Sequence, residues 1–319
     1  MTDGGGRLSP SLAMKIAQKL GLSYLPSGFQ ARLGNCKGFW VVDIQDSGNE
    51  DWIEVYSEQE KWVRKGTLDD PDYKDPAHRI FEVNKFPGPL KSADLNQQLL
   101  PILMYGAPNV NKMRDDISEL LKATLTKQIE EQRMAMNDQL SFRNWLRDSN
   151  SGLVDRAKHG IVPYKASLPL MNNERLNMLV DAGFDPLKLN YPQELSRQVY
   201  ERNCTDIEAK MNIRVDRSTY AFMAPDWTET LEEGEIYLNP SESANFGDEL
   251  SFFTGLPLEG EMLVARIPAH FASDIQKVTA VRRNVDKLMG LRDVVVFSTR
   301  GACLADKLSG GDYDGDQAW

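Results

Sequence analysis

The sequence predicts an α+β fold in which a mostly helical middle region separates two regions rich in β-strand. Three observations carry this prediction. Short β-branched and aromatic runs fill residues 28–63, apolar residues recur at helical spacing through residues 65–211, and strand-like runs return from Ile213 onward. The chain has 319 residues, which is enough to bury a substantial core and to form one to three domains.

The first region is predicted to begin with a helix and to continue with strands. Ser9 followed by proline is a typical helix start, and the helix over Ser11–Leu20 would stop at Gly21. Two strands are predicted at Phe39–Asp43 and Trp52–Tyr56, because both runs are β-branched and aromatic and residues of turn composition separate them.

The middle region is predicted to be helical. Apolar residues recur every three or four positions over Asp94–Tyr105 and over Asn111–Arg147, and helical character returns at Leu187–Lys210. The apolar stripe of Asn111–Arg147 is typical of a helix face that packs against the core or a second helix, rather than of a cofactor site.

The third region returns to strands and includes one predicted helix. Ser273 is a candidate N-cap for a helix over Ser273–Met289, whose apolar residues would line one face. Because the pattern predicts a new strand that begins at Trp319, we expect the chain to be a fragment. Four further runs are predicted to be strands: Tyr220–Met223, Glu235–Leu238, Glu261–Ile267 and Val294–Phe297.

Composition argues against some classes of protein but does not identify the function. The net charge of −10 argues against a protein that coats nucleic acid with its whole surface, although a local basic channel is compatible with it. The sequence contains no run of about 18 apolar residues, so we expect no membrane span and no membrane partner. Cys36, Cys204 and Cys303 fit neither a disulfide framework nor a zinc site. We therefore expect an intracellular protein, in the nucleus, the cytoplasm or both.

Three aspartates alternate near the end of the chain, at Asp312, Asp314 and Asp316. In an extended or tightly turned loop, alternate side chains point the same way. Two such charges about 5 Å apart repel by roughly 3 kcal/mol at an effective dielectric constant near 20, so the group favours a bound cation. Hard oxygen ligands suit Mg²⁺ or Mn²⁺, with substrate phosphates completing the coordination shell.

Two other interpretations of this loop are open from spacing alone. A calcium loop of the EF-hand type has its glycine after the third acidic position, whereas Gly315 lies between the second and third aspartates. A solvated acidic turn without a metal is also compatible, because Asp and Gly are the usual turn residues.

An apolar run that ends in a glycine, Val294–Gly301, precedes these aspartates, and Asp306–Asp316 follows it and contains Ser-Gly-Gly-Asp-Tyr-Asp-Gly-Asp. This order resembles the catalytic segment of the eukaryotic cellular RNA-dependent RNA polymerases of RNA silencing, whose signature is an apolar strand, a glycine and then Ser-Gly-x-Asp-(bulky)-Asp-Gly-Asp. Tyr313 fills the bulky position, as in the fungal members. Ile267 and Ser273 depart from the usual Asn and Gly of two upstream elements. Other family elements occur in the same order along the chain, at Thr2-Asp3-Gly4, Pro26–Arg32, Lys37-Gly38, Leu95–Gln98, Leu231–Glu235 and Val264–Pro268.

The resemblance implies a core of two double-psi β-barrels of the cellular RNA polymerase type. Residues 1–65 would form part of the first barrel, and residues 66–211 the helical connection. Residues 212–319 would form the second barrel up to its metal loop, so that this barrel is incomplete.

The resemblance also implies an enzyme, an RNA-directed RNA polymerase. Asp312, Asp314 and Asp316 would be catalytic and would hold Mg²⁺ or Mn²⁺. The expected partners are a single-stranded RNA template, nucleoside triphosphates and silencing-complex proteins, and the product would be double-stranded RNA for small-RNA silencing. Two rivals are a DNA-dependent RNA polymerase-like enzyme and an inactive fragment that binds RNA or a protein partner.

Basic residues complete the predicted site. Lys37 precedes an apolar strand, and Arg32 lies five residues earlier. From the residues alone, ordinary solvated charges are the favoured interpretation. The resemblance instead implies that Lys37, and less strongly Arg32, binds the phosphates of the nucleotide or RNA. Lys307 flanks the acidic loop and either binds phosphate or balances the aspartates.

Overall fold

The computed structural model describes residues 3–62, 75–148, 162–210, 213–241 and 255–319. The contacts between residues divide the chain into two compact units. The first unit comprises residues 1–94, 98–106 and 215–319, and the second comprises residues 95–97 and 107–214. No helix in the described ranges is both long enough and apolar enough to cross a membrane.

The described residues alternate between strands and helices. The strands are β1 Gly5–Leu8, β2 Gly28–Leu33, β3 Cys36–Val42, β4 Phe81–Lys85, β5 Ser92–Leu95, β6 Tyr164–Lys165, β7 Leu168–Pro169, β8 Ile213–Thr219, β9 Ala221–Pro225, β10 Glu235–Leu238, β11 Gly260–Ala265, β12 Ile275–Ala280, β13 Val294–Phe297 and β14 Gln317–Ala318. The helices are α1 Pro10–Lys19, α2 Leu100–Gly106, α3 Val110–Ala135, α4 Gln139–Asp148, α5 Asn172–Asp181, α6 Asn190–Lys210 and α7 Leu304–Lys307.

A four-stranded sheet in the order β1-β3-β2-β4 forms the N-terminal part of the first unit. Its central strand β3 is an almost continuous apolar run because both of its faces are buried. Phe39 and Val41 belong to one core cluster, whereas Trp40 and Val42 belong to another, on the opposite face. The strand therefore lies between two hydrophobic layers, which fixes its register closely.

The predicted N-terminal helix is confirmed, but the strand predicted at Trp52–Tyr56 is wrong. Helix α1 is capped by Ser9, whose hydroxyl accepts a hydrogen bond from the backbone N–H of Leu12. The segment that follows the turn forms only a bridge at Ile53. Side chains take up the next backbone groups of this segment: Nε1 of Trp40 donates to the carbonyl of Glu54, and the N–H of Tyr56 donates to Oε1 of Gln59, so the pairing with β1 does not continue.

A six-stranded mixed sheet in the order β11-β12-β10-β13-β9-β14 forms the rest of the first unit. All four residues of β13 are buried, and their side chains alternate between two clusters. Val295 and Phe297 pack into the cluster that also contains Tyr313, whereas Val294 and Val296 pack into the cluster that contains Phe39. The two sheets therefore share one hydrophobic layer within this unit.

The helix predicted at Ser273–Met289 is wrong. Residues 275–280 form β12, with short 3-10 helices at Ala272–Asp274 and Asp286–Leu288. Val278 and Ala280 are buried and Lys277 and Thr279 are exposed, which is the two-residue period of a strand. β12 lies between β10 and β11, so hydrogen bonds on both edges outweigh the helical spacing of its apolar residues.

The second unit is mostly helical, as predicted. α4, α5 and α6 pack together through a core of six buried apolar residues. The long predicted helix is confirmed in two pieces, α3 and α4, and the helix predicted at Asp94–Tyr105 begins only at Leu100. The apolar stripe on α3 is only partly covered, because each stripe residue is half-buried or exposed. The core residues of this unit are Phe142, Leu146, Leu176, Val180, Leu195 and Val199.

Candidate active site

The acidic loop lies between α7 and β14, and Tyr313 determines its orientation. The Tyr313 ring is 1% exposed and meets the ring of Phe297 edge to face, with 6.4 Å between their centroids. Because Tyr313 points into the core, its alternating neighbours Asp312 and Asp314 point away from that core. Gly315 has a φ of +122°, a conformation that favours glycine, and it turns the chain toward Asp316.

The loop brings the three predicted carboxylates together. One carboxylate oxygen from each of Asp312, Asp314 and Asp316 lies within 4.8 Å of the other two. Backbone hydrogen bonds support this arrangement: the N–H of Asp314 donates to Oδ1 of Asp312, and the N–H of Asp312 donates to Oδ2 of Asp316, both at 3.2 Å. The alternation in sequence therefore predicted the convergence of these side chains correctly.

Among the residues that the structure describes, three cationic side chains contact these carboxylates. Nζ of Lys37 lies 2.7 Å from Oδ2 of Asp314, and Nζ of Lys61 lies 3.4 Å from the same oxygen. Nε of Arg266 lies 2.6 Å from Oδ2 of Asp316. The structure thus brings Lys37 to the acidic loop across 277 residues of sequence, and it adds two cations that were not predicted.

The aspartates differ in their affinity for protons. Burial, followed by the charge of Asp314, raises the pKa of Asp312 to about 6. Burial also acts to raise the pKa of Asp314, but the hydrogen bond and charge of Lys37 outweigh it and hold that pKa below its usual value. Asp314 is therefore the firmly ionised member of the pair.

The geometry and the donor set fit a divalent cation. Oxygen ligands about 2.0–2.6 Å from an ion stand at most about 4–5 Å apart, which is the spread of these three carboxylates. The donors are carboxylate oxygens, which hard cations such as Mg²⁺ and Mn²⁺ prefer. Asp314 is only 6% exposed, so a fully solvated acidic turn does not describe this loop.

Residues of the N-terminal segment press closely against the loop. The backbone N–H of Tyr313 donates to the carbonyl of Asp3 at 2.7 Å. A Cβ at Gly4 would lie 2.9 Å from Cβ of Asp314, and a Cβ at Gly315 would lie 2.1 Å from Nε2 of Gln30. Glycine is required at both positions for the two segments to approach each other.

Sequence reasoning missed the roles of Lys61 and Arg266. Arg266 follows β11, inside one of the segments that carry the family resemblance, so the resemblance could have indicated it. Lys61 lies beside a segment of turn-like composition and gives no such signal. Lys61 reaches the carboxylates only through the tertiary fold. Its backbone N–H donates to the carbonyl of Asn35, and this bond holds its segment next to the turn between β2 and β3.

The other two basic residues stay predictions. Arg32 is exposed and lies directly opposite Lys37 in the β2–β3 pair. Lys307 is exposed at the end of α7. Within the described part of the chain, neither makes a hydrogen bond or ion pair with the three carboxylates.

A family model described as RNA dependent RNA polymerase matches residues 1–319, the whole length of the chain. The chain belongs to the RNA-dependent RNA polymerase family. This match agrees with the acidic loop and with the order of the other motifs, so the resemblance stated above is confirmed.

Similar proteins come from plants and fungi. RNA-dependent RNA polymerase 2 of Arabidopsis thaliana is 24% identical over 325 residues, covering 99% of this chain and 25% of the relative. Probable RNA-dependent RNA polymerase 2 of Oryza sativa subsp. japonica is 22% identical over 328 residues, covering 99% of this chain and 25% of the relative. The chain thus spans about a quarter of these curated relatives.

A solved structure establishes the type of fold. The RNA dependent RNA polymerase QDE-1 from Thielavia terrestris superposes with a TM-score of 0.81 and is 41% identical. The alignment covers 100% of this chain and 33% of that chain. Over that third of QDE-1, this polymerase family member therefore has the same mixed α/β fold, which is of the cellular RNA polymerase type.

Proposed function

We propose that the protein containing this chain catalyses template-directed transfer of nucleotides, with RNA as its template. The observation that carries this proposal is the convergence of Asp312, Asp314 and Asp316 within 4.8 Å, in a chain that belongs to the RNA-dependent RNA polymerase family. The contact of Lys37 with Asp314 supports it, because a cation at this position can meet a bound triphosphate.

We propose that the three aspartates hold Mg²⁺, or Mn²⁺ in its place. When bound, the metal would lower the pKa of a nucleotide 3′-hydroxyl and offset charge on the transferred phosphate. The cationic side chains of the chain would stabilise the remaining negative charge of the substrate. Lys37 and Lys61 would bind the triphosphate as point charges, and the exposed Arg32 and Lys307 would contact phosphates farther from the carboxylates.

We propose the finer architecture and the biological setting on the same basis. Residues 1–65 and 212–319 would belong to two double-psi β-barrels, and residues 66–211 would connect them. The substrates would be single-stranded RNA and nucleoside triphosphates, and the double-stranded product would enter small-RNA silencing with silencing-complex proteins. The free cysteines agree with an intracellular location, in the nucleus, the cytoplasm or both.

The decisive experiment measures nucleotide incorporation by the full-length protein on single-stranded RNA and single-stranded DNA, with and without a primer, in Mg²⁺ or Mn²⁺. We expect incorporation on RNA, and we expect Asp316→Ala to reduce it at least about a thousandfold because one of three carboxylate ligands is lost. Asp286→Asn is the control, because Asp286 is an exposed carboxylate of the same unit.

Each alternative outcome has a distinct meaning. Full activity of the Asp316→Ala protein would refute the role assigned to the acidic loop. Incorporation on DNA alone would favour a DNA-dependent RNA polymerase-like enzyme. RNA binding without incorporation on either template would favour a non-enzymatic binding protein.

A further inference from the structure

Arg266 occupies one of the three carboxylates that a metal would need. Its Nε contacts Oδ2 of Asp316 at 2.6 Å, and its Nη1 donates to the carbonyl of Ser309 at 3.3 Å. The side chains of Arg266 and Asp316 are 22% and 25% exposed, so solvent screens their interaction only in part. The guanidinium therefore connects the two ends of the acidic loop.

The backbone holds Arg266 in this position. The N–H of Ala265 donates to the carbonyl of Trp319 at 3.0 Å, and the N–H of Trp319 donates to the carbonyl of Ala265 at 2.7 Å. This pair of bonds ties the end of β11 to the chain just beyond Asp316. In addition, a Cβ at Gly311 would lie 2.8 Å from Cδ of Arg266, so only glycine leaves room for the arginine.

Cationic side chains already contact the carboxylates of the site. In the described residues, Lys37 and Lys61 contact Asp314, and Arg266 contacts Asp316. A divalent cation that enters alone has to compete with these cations for the carboxylates. A nucleoside triphosphate that arrives with the metal supplies negative charge with which the cations can pair instead. The arrangement therefore favours binding of metal and triphosphate together.

We propose that Arg266 restrains metal binding in the nucleotide-free protein and becomes a nucleotide ligand when a triphosphate arrives. Without nucleotide it stays paired with Asp316, and with nucleotide it moves to a phosphate and leaves Asp316 to the metal. A guanidinium matches phosphate as well as carboxylate, so neither group is left unpaired after the exchange. The inference rests on the proposed function, and it makes the binding of metal and nucleotide mutually dependent.

The test is a Mn²⁺ titration of the full-length protein, with free Mn²⁺ followed by electron spin resonance. It is done without nucleotide and with a guanosine triphosphate analogue whose α,β-bridging oxygen is a methylene group. We expect Arg266→Gln to raise the nucleotide-free Mn²⁺ affinity roughly two- to fivefold, the range of a partly exposed ion pair. The same variant should bind the analogue more weakly and should lose most of the coupling between analogue and Mn²⁺.

Two further variants sharpen the test. Arg300→Gln is the matched control, because Arg300 pairs with Glu232 and its loss should leave Mn²⁺ binding unchanged. Arg266→Lys keeps the charge but cannot span both Asp316 and Ser309, so it should show a smaller rise in affinity. If thermal unfolding shows that Arg266→Gln does not fold, the test uses Arg266→Lys in its place.

The outcomes separate this inference from the proposed function. An unchanged or lower nucleotide-free affinity in both Arg266 variants would mean that Arg266 is only a structural clamp, and the inference would be overturned. The inference would also be overturned if Mn²⁺ affinity falls when Asp316 is substituted but does not change when Arg266 is substituted. If the wild-type protein binds no Mn²⁺, or if Asp316→Asn leaves that binding unchanged, then the proposed metal site itself is wrong.

Discussion

At the scale of single residues, the acidic loop combines one buried aromatic ring with three carboxylates on the opposite side. Tyr313 fixes the orientation of the loop, and the alternation of residues then places the aspartates together. This much follows from local sequence. The cations do not, because Lys37 and Lys61 approach Asp314 only through the tertiary fold.

The raised pKa of Asp312 predicts that metal binding depends on pH. Without metal, burial and the charge of Asp314 raise the pKa of Asp312 to about 6, so below that pH a proton competes with the metal for this carboxylate. We expect Mn²⁺ affinity to fall up to about tenfold per pH unit as pH decreases below 6. Calorimetric titration between pH 5 and pH 7.5 measures this, and a constant affinity across the range would contradict it.

The contact between Lys37 and Asp314 predicts a defect in nucleotide binding when the charge is removed. For Lys37→Met we expect the KM for nucleoside triphosphates to rise roughly ten- to a hundredfold, the range of a charge-assisted hydrogen bond. Lys19→Met, on the exposed face of α1, is the matched control. Steady-state kinetics on an RNA template check both proteins, and an unchanged KM for Lys37→Met would exclude a triphosphate contact.

At the scale of secondary-structure elements, sequence patterns identified five of the described strands, β3, β9, β10, β11 and β13, but confused β12 with a helix. β10 and β13 have the predicted bounds, and β9 and β11 differ by a few residues. The apolar residues of 275–288 satisfy the helical period by coincidence, because three of them lie in the loop after β12 and pack separately. Only the pairing with neighbouring strands decides such a segment, and single-sequence spacing does not contain it.

The corrected assignment predicts the sign of a stability change at Thr279. Because this exposed residue lies in a strand between two neighbours, Thr279→Ala should lower the free energy of unfolding by about 0.5–1 kcal/mol. In a helix the same substitution would raise it. Thr126→Ala on exposed α3 is the control and should be neutral or stabilising. Urea denaturation measures both, and stabilisation by Thr279→Ala would support the helix.

At the scale of the whole molecule, the N-terminal sheet and the C-terminal sheet of the first unit share a hydrophobic layer. The rings of Phe39 and Phe222 stack with centroids 5.1 Å apart and planes 6° apart. The Ser27 hydroxyl donates to the carbonyl of Arg292 and accepts from its N–H, both at 2.7 Å. The sequence showed two β-rich regions, and it did not show that they form one unit.

This shared layer predicts a large loss of stability when its central ring is removed. Phe39 is fully buried, so Phe39→Ala should lower the free energy of unfolding of the first unit by about 3–5 kcal/mol. Phe271, which is 70% exposed, provides the control, and Phe271→Ala should cost less than about 1 kcal/mol. Urea denaturation followed by tryptophan fluorescence distinguishes the two, and equal losses would show that the shared layer is not stabilising.

The order of the family motifs predicted more about the site than the periodicity of apolar residues did. Periodicity indicated strand, then helix, then strand, and it could not place Lys37 near the acidic loop. The succession of family elements along the chain indicated the polymerase family and hence a common site for distant segments, as the family match confirms. Arg266 was within one of those elements, but its ion pair with Asp316 depends on the tertiary arrangement.

The separation of 277 positions along the chain from Lys37 to Asp314 also has a consequence for biosynthesis. At a translation rate of about 5–20 residues per second, the ribosome needs roughly 14–55 s to travel from one residue to the other. For much of that interval, until β9 and the strands that follow it have been made, the apolar side of β3, with Phe39 and Val41, has no C-terminal sheet to cover it. The nascent protein is therefore expected to need chaperone protection early, and an unfinished chain cannot bring Lys37 to Asp314.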